Sequence, residues 1–474
     1  MILSQLASSV FDPDPLQDLK ITSVTDRSNL VQPGALFVAI RGRTVDGHRY
    51  LADAVARGAV AAVVSHPVSC PIPCFPVPDV RRAYALLCGN FYGNPAKNMV
   101  LTGITGTNGK TSTACLLEHC LRSCGTKTAL LGTVCTDDGA TVCDSSLTTP
   151  DPSVLHAVLA RARDNGCSHA VLEVSSQSLD QRRVSGLEFA VGIFTNLSVD
   201  HLDYHGTMQA YRDAKQKLFY QCRTGLVNSD SDYVAPFLTL PGIKTFSVTH
   251  PADFTATRVR MTTDGISYVE CSPSGRREVS LPMRGRFSIY NSLAALAAAE
   301  CLGLDADACA EALRSFPGVR GRMETVRGDL PFRLLIDYAH TPDGLKLVLQ
   351  SLRDTTGGRI ILVFGCGGDR DEGKRPEMGR IASSLADEVI VTTDNPRSED
   401  PEEIIRQILS GAVQPCRVVA DRTEAIRTAL RLAQAGDTVL LAGKGHETRQ
   451  IFADGSIPYD EREIARKLLK EEGY

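Results

Sequence analysis

A glycine turn closing on a lysine and two hydroxyl residues, Gly106-Thr107-Asn108-Gly109-Lys110-Thr111-Ser112, carries the strongest chemical signal in the chain. Backbone N–H groups of such a turn face phosphate oxygens. Its lysine reaches the β and γ groups, and the threonine hydroxyl serves a Mg²⁺ ion. The usual spacing would place glycine at 104, where Ile104 stands, so the turn reads as a variant P-loop. A chance glycine turn is the competing reading.

The segments around the turn suit that chemistry. Residues 100–105 are apolar and β-branched, and 112–121 carry apolar residues at helical spacing, which sets the loop between a strand and a helix. A second apolar run, 170–174, delivers Glu173 and Ser175 toward the carboxyl edge of a sheet, where open α/β folds bind ligands. Glu173 is therefore a Mg²⁺ ligand by expectation. After a third strand, at 191–195, come Asp200, His201, Asp203 and His205, a density that suits a metal site and a capped, hydrogen-bonded turn equally. Lys215 follows on a helix whose inward positions are Tyr211, Ala214, Leu218 and Phe219. Spacing alone leaves its amine either snorkelling to solvent or buried beside that face at an energetic cost.

Farther on, Asp394-Asn395-Pro396-Arg397 follows a strand at 389–392, and Asp369-Arg370-Asp371 follows a glycine turn. Arg370 and Arg397 can each grip a carboxylate with paired hydrogen bonds, while Asp394 and Glu447 can accept from ammonium groups. A ligand bearing both kinds of group would fit. The alternative is a simple turn stabilised by Asp394.

At 474 residues the chain exceeds one hydrophobic core. Its pattern is α/β with three domains: a small α/β domain over 1–97, a central P-loop domain with a mostly parallel sheet over 98–328, and a Rossmann-like doubly wound domain over 329–474. An antiparallel patch is expected at 254–283, and helices at 290–302 and 306–316. The 51 basic and 55 acidic residues nearly cancel, and no basic cluster stands out, which argues against nucleic-acid binding. No run approaches eighteen uninterrupted apolar residues, so membrane insertion is not expected and a cytoplasmic location is. Fifteen cysteines without a C-x-x-C pair read as reduced thiols, neither disulfides nor a zinc site.

Taken in order, these motifs resemble the Mur ligase family, which builds the peptide of bacterial cell-wall precursors and shares its architecture with folylpolyglutamate synthase. Further carriers are Thr148-Thr149-Pro150, Tyr290-Asn291, Gly321-Arg322-Met323-Glu324, Asp337-Tyr338-Ala339-His340 and Gly443-Lys444-Gly445-His446-Glu447. The resemblance implies that Asn291, Arg322 and His340 contribute to the ATP site. It implies two Mg²⁺ ions, one on Thr111 and Glu173, the other on His201 and Lys215, the lysine carbamylated by CO₂. Ser28, with Pro33-Gly34 and the run from Gly42 to Gly47, resembles the uridine-diphosphate end of the family, although Ser28 could also cap a turn. The usual Asp-Ser-Arg triplet is Arg27-Ser28-Asn29 here. Thr148, Thr149, Ser175, Gln181 and Arg183 would meet the same UDP-linked substrate, and Gln177 replaces the family's usual histidine.

By the same resemblance, Asp394, Asn395, Pro396 and Arg397, with Arg370, Gly443 and Glu447, mark members that add meso-diaminopimelate. The implied reaction joins it to UDP-N-acetylmuramoyl-L-alanyl-D-glutamate through an acyl phosphate, the protein acting as a monomer on small-molecule substrates. A lysine-adding member of the family is the runner-up. Folylpolyglutamate synthase and a non-catalytic P-loop switch stand behind it.

Overall fold

The computed structural model describes residues 1–12, 19–42 and 45–474. Arg43 and Thr44, inside the run from Gly42 to Gly47, lie outside the described residues.

The architecture is mixed α/β around three principal sheets. In the first, Ser23–Thr25, Ala35–Val38, Ala59–Val64 and Cys74–Pro76 lie side by side and all parallel. Ala35–Val38 is buried throughout, as a strand covered on both faces must be. Helix Val80–Phe91 covers one face with Tyr84, Leu87 and Cys88, and Asp79 caps it by accepting from the Arg82 N–H.

The central sheet has eleven strands. Its parallel interior runs Phe254–Met261, Ile243–Ser247, Cys222–Asn228, Phe189–Phe194, Val100–Thr105, His169–Glu173, Thr128–Leu131. Antiparallel strands flank both ends: Ile266–Ser272 and Gly275–Leu281 at the expected patch, Cys135–Asp137 and Val142–Asp144 at the other. The second pair escapes sequence reading because each strand has only three residues and the outer one is exposed, which leaves no alternation to detect. The P-loop strand Val100–Thr105 sits between Phe189–Phe194 and His169–Glu173, pairing Ile104 with Glu173 and Thr105 with Phe194. That register brings the ends of three strands to one edge. The alanine-rich helix Arg286–Cys301, buried along most of its length, packs on the P-loop helix Lys110–Ser123.

In the third sheet the order is Glu324–Thr325, Arg333–Asp337, Thr438–Ala442, Ile360–Phe364, Glu388–Val391, Arg417–Val418, all parallel except the first. Residue 328 falls between two strands of this sheet, since a two-residue strand such as Glu324–Thr325 gives no periodicity to read. All fifteen cysteines are free thiols. Among the described residues no helix is long and apolar enough to cross a membrane.

Candidate active site

Lys110 begins the helix that follows the glycine turn, and Gly109 before it has φ +86°, a left-handed conformation that glycine adopts without strain. Gly106 is required for a different reason. A Cβ there would fall 1.9 Å from the Thr195 hydroxyl at the end of the neighbouring strand. The Lys110 ammonium donates to the carbonyls of Gly106, at 2.9 Å, and Thr107, at 3.0 Å.

Lys215 arrives at the same place from another element. Its helix, Met208–Gln216, is capped by Thr207 and buries Tyr211 and Ala214. The amine is buried with them, donating to the Gly106 carbonyl at 2.8 Å and lying 4.3 Å above the Tyr211 ring. The snorkelling alternative is excluded. Burial, reinforced by the positive charge of Lys110, drives the Lys215 amine well below the ordinary lysine range, with Asp200 opposing. Burial likewise lowers Lys110. Two amines thus share one acceptor, and neither has a carboxylate within ion-pair distance among the described residues.

Glu173 is buried and accepts from the Thr111 hydroxyl at 2.9 Å, and from the Thr133 N–H and hydroxyl at 2.7 and 3.0 Å. Thr133 carried no sequence signal. His201 has φ +53° and lies 3.4 Å from Asp200, with burial lowering its ring pKa. Among the described residues no three of His, Cys, Asp and Glu are arranged to hold a metal by themselves.

A cavity of about 540 Å³ opens beside this cluster, walled by Asn108 and Thr111 on one side and Arg322, Tyr338 and His340 on the other, with Asn291 between. Arg322 donates to the Thr111 hydroxyl at 3.4 Å and stacks 4.7 Å from the Tyr338 ring. Burial, with Lys374 nearby, pushes His340 down to about 4. Lys374, which sequence reading passed over, donates to the His340 carbonyl at 2.9 Å.

Thr148, Thr149, Ser175, Gln181 and Arg183 form a contiguous band on the opposite side of Glu173. Thr148 accepts from Thr133 at 3.0 Å, and Thr149 donates to the Glu173 carbonyl at 2.8 Å while accepting from the Ser175 N–H at 3.0 Å. Arg183 donates to the Thr149 carbonyl and to Gln181, both at 2.8 Å. Asp151 links this band to the first sheet by pairing with Arg183 at 3.3 Å and Arg27 at 2.6 Å. Ser28, one residue on, hydrogen-bonds Asp53 and stands next to the bridge, not in it. Beside the band, Gln177 accepts from the Ser176 hydroxyl at 3.2 Å.

The third sheet supplies a separate polar cluster at its carboxyl edge. Lys444, wholly buried, donates to the Asn395 side chain and to Glu447, both at 3.1 Å, and to the Arg449 carbonyl at 2.8 Å. Asn395 in turn donates to Glu447 at 2.7 Å. Asp394 lies 3.6 Å from the same amine, yet its Oδ1 is buried without a hydrogen-bond partner among the described residues. No hydrogen bond from the Asn-Pro-Arg turn to the Asp394 carboxylate is present among the described residues, so the plainer reading of a turn stabilised by Asp394 finds no support there; its charge faces Lys444. Gly443 has φ +106°, a conformation that L side chains rarely adopt, although a Cβ there would make only ordinary contact with Asp394 Oδ2 at 3.4 Å. Arg397 has φ +53° and donates to the Gly368 carbonyl at 2.6 Å. Arg370 and Arg397 flank Gly367, and Pro396 presents its carbonyl against Gly368. Lys444 was visible only as part of a motif, because burial of a lysine between two glycines has no local signature.

Three family models match the chain: the Mur ligase middle domain over 104–299, the Mur ligase glutamate ligase domain over 321–445 and the Mur ligase family catalytic domain over 20–92. The chain belongs to the Mur ligase family. It is 42% identical over 460 residues, 95% of each chain, to the UDP-N-acetylmuramoyl-L-alanyl-D-glutamate--2,6-diaminopimelate ligase of Halalkalibacterium halodurans. To the protein of that name from Synechococcus elongatus it is 44% identical over 488 residues, 99% of this chain and 98% of the other. A solved structure of an enzyme of the same name superposes with a TM-score of 0.72 at 31% identity, covering 100% and 99% of the two chains.

Proposed function

We infer that the chain is an ATP-dependent amide ligase that adds meso-diaminopimelate to UDP-N-acetylmuramoyl-L-alanyl-D-glutamate, a step of peptidoglycan precursor synthesis. The observation that carries this reading is the meeting of Lys110 and Lys215 on the Gly106 carbonyl, within a chain that matches ligases of that name end to end. A carboxylate is inert toward an amine, so the terminal phosphoryl group of ATP is moved onto the glutamate side-chain carboxylate. The resulting acyl phosphate is open to attack by the neutral amine, and phosphate leaves. Lys110 neutralises phosphoryl oxygens during transfer, where positioning and electrostatics supply most of the acceleration. Asn291, Arg322 and His340 line the nucleotide side, His340 as a neutral ring.

The residues present fit Mg²⁺. Thr111 and Glu173 offer hard oxygen donors in contact with each other, and Mg²⁺ uses few protein ligands, completing its shell with phosphates and water. When bound, the ions withdraw charge from the transferring phosphoryl group. His201 and Lys215 would hold the second ion, with Lys215 as a carbamate. The depressed Lys215 amine supports this, because only the uncharged form adds CO₂. Carbamylation also turns a second cation beside Lys110 into its counter-charge.

Thr148, Thr149, Ser175, Gln181, Arg183 and Ser28 would seat the UDP-linked substrate. Asp394 and Glu447 would receive an ammonium of diaminopimelate, and Arg370 and Arg397 its distal carboxylate, on a frame set by Asn395, Pro396 and Gly443. We place the enzyme in the cytoplasm as a monomer whose outer domains close over the substrates, a hypothesis that scattering curves unchanged by an ATP analogue plus UDP-dipeptide would defeat.

The deciding assay mixes protein, ATP, Mg²⁺ and UDP-dipeptide with diaminopimelate or lysine and weighs the product by mass spectrometry. Diaminopimelate should be consumed. Preferential incorporation of lysine would transfer the reading to a lysine-adding enzyme, and ATP hydrolysis without a ligated product would leave only a switch.

A further inference from the structure

A second cavity, of about 290 Å³, lies behind the nucleotide cavity, and Arg322 lines both. Its walls come from the loop after Gly275–Leu281, from the connection into the third sheet, and from helix Glu461–Glu471. Arg284, Arg320, Arg322 and Arg462 all line it. Two of them are neutralised: Arg320 pairs with Asp460 at 2.7 Å and Arg462 with Glu324 at 2.5 Å. The other two have no carboxylate at ion-pair distance among the described residues. Arg284 donates to the Thr263 carbonyl at 2.8 Å and the Thr325 hydroxyl at 3.1 Å. Arg322 reaches the Thr111 hydroxyl, and its Nε is buried without a partner. Half-buried guanidinium groups in surplus, one with an unsatisfied donor, call for an anion.

The backbone fixes Arg322 as the partition. Gly321 has φ +68°, and a Cβ there would strike the His446 N–H at 2.3 Å. Met323 is held at φ +47° by its N–H bond to Asp337 at 2.7 Å, and the Arg322 N–H donates to the Val319 carbonyl at 3.0 Å. A non-glycine residue in the left-handed region is strained, and here that strain sits in the residue next to Arg322.

We propose that this second cavity is a site for a phosphate-class oxyanion, held by Arg284 and by the face of Arg322 turned away from the P-loop. The volume admits orthophosphate with water and is too confined for a nucleotide. Phosphate from solution and phosphate released by the ligation in our functional reading share this chemistry.

Orthophosphate is the probe, titrated by ³¹P line broadening without turnover, so the outcome does not depend on ligase activity. The titration uses the Lys110→Ala protein, which weakens the P-loop's claim on phosphate by removing its ammonium. Binding that persists there, weakens about tenfold on adding Arg284→Gln and returns on Arg284→Lys instead supports the site. Loss of all binding in Lys110→Ala alone, or binding indifferent to Arg284→Gln, overturns it. Equal thermal midpoints for the two Arg284 variants exclude misfolding as the cause. With the site established, single-turnover release assigns its occupant: a lag in wild type that Arg284→Gln abolishes identifies product phosphate, and unchanged release identifies phosphate from solution.

Discussion

The cluster under the P-loop and the cluster at the edge of the third sheet both centre on a buried lysine, yet the two surroundings are opposite. Lys444 is surrounded by acceptors: Asn395, Glu447 and the Arg449 carbonyl saturate its three donors, with Asp394 close by. Lys215 has one carbonyl, an aromatic face and another cation. One lysine completes a prebuilt frame, and the other is left under-neutralised. A saturated buried amine specifies shape, whereas an under-neutralised one specifies chemistry still to come.

That contrast is most sharply broken at Lys215. Lys215→Ala should lower the ligation rate by about 10² to 10³-fold or more while leaving the fold intact, measured as ADP release alongside circular dichroism. Removing dissolved CO₂ should depress the wild type reversibly, and activity indifferent to bicarbonate would refute the carbamate. Lys444→Met should behave differently. Leaving the buried Asp394 and the half-buried Glu447 without their cation costs up to about 3–5 kcal/mol, so the variant should lose thermal stability and raise the acceptor KM more than it lowers kcat. A pure kcat defect would contradict a framing role.

A smaller effect is expected at the rim. Arg397→Lys keeps the charge but loses the paired hydrogen-bond geometry, and should weaken diaminopimelate use by about tenfold with ATP and UDP-dipeptide KM unmoved. Unaltered acceptor kinetics would dismiss the carboxylate clamp.

The smallest effect lies away from both lysines, at His156 in helix Pro152–Asp164, packed against Gly89 of helix Val80–Phe91. Both ring nitrogens are buried without partners among the described residues, and burial pushes the ring down to about 4. The unfolded chain takes a proton near 6.5 and the folded one resists until about 4, so the neutral ring's contribution is complete above 6.5 and is lost as pH falls toward 4. His156→Leu should raise stability by about 1 kcal/mol at neutral pH and by more at pH 5, followed by urea unfolding at each pH. An equal difference at both pH values would remove the histidine as the titrating group.

Much of this was legible beforehand because it is local. The glycine turn, its strand and helix, the long apolar strands and the clusters at 200–205 and 394–397 announce themselves by residue type and spacing. What stayed hidden is what only tertiary packing creates. The depth of Lys215 follows from Tyr211 and Ala214 folding under the P-loop, and Thr133, Lys374 and Lys444 gain their roles from elements far away in the chain. Short strands such as Val142–Asp144 and Glu324–Thr325 exist because neighbours offer edges, not because their own residues insist.

The perch of Lys110 on the carbonyls of Gly106 and Thr107 has a kinetic corollary. A nucleotide entering this loop would meet an ammonium already bonded to its own backbone, so its oxygens would take over N–H bonds in a swap of partners. Arrival then becomes an exchange reaction.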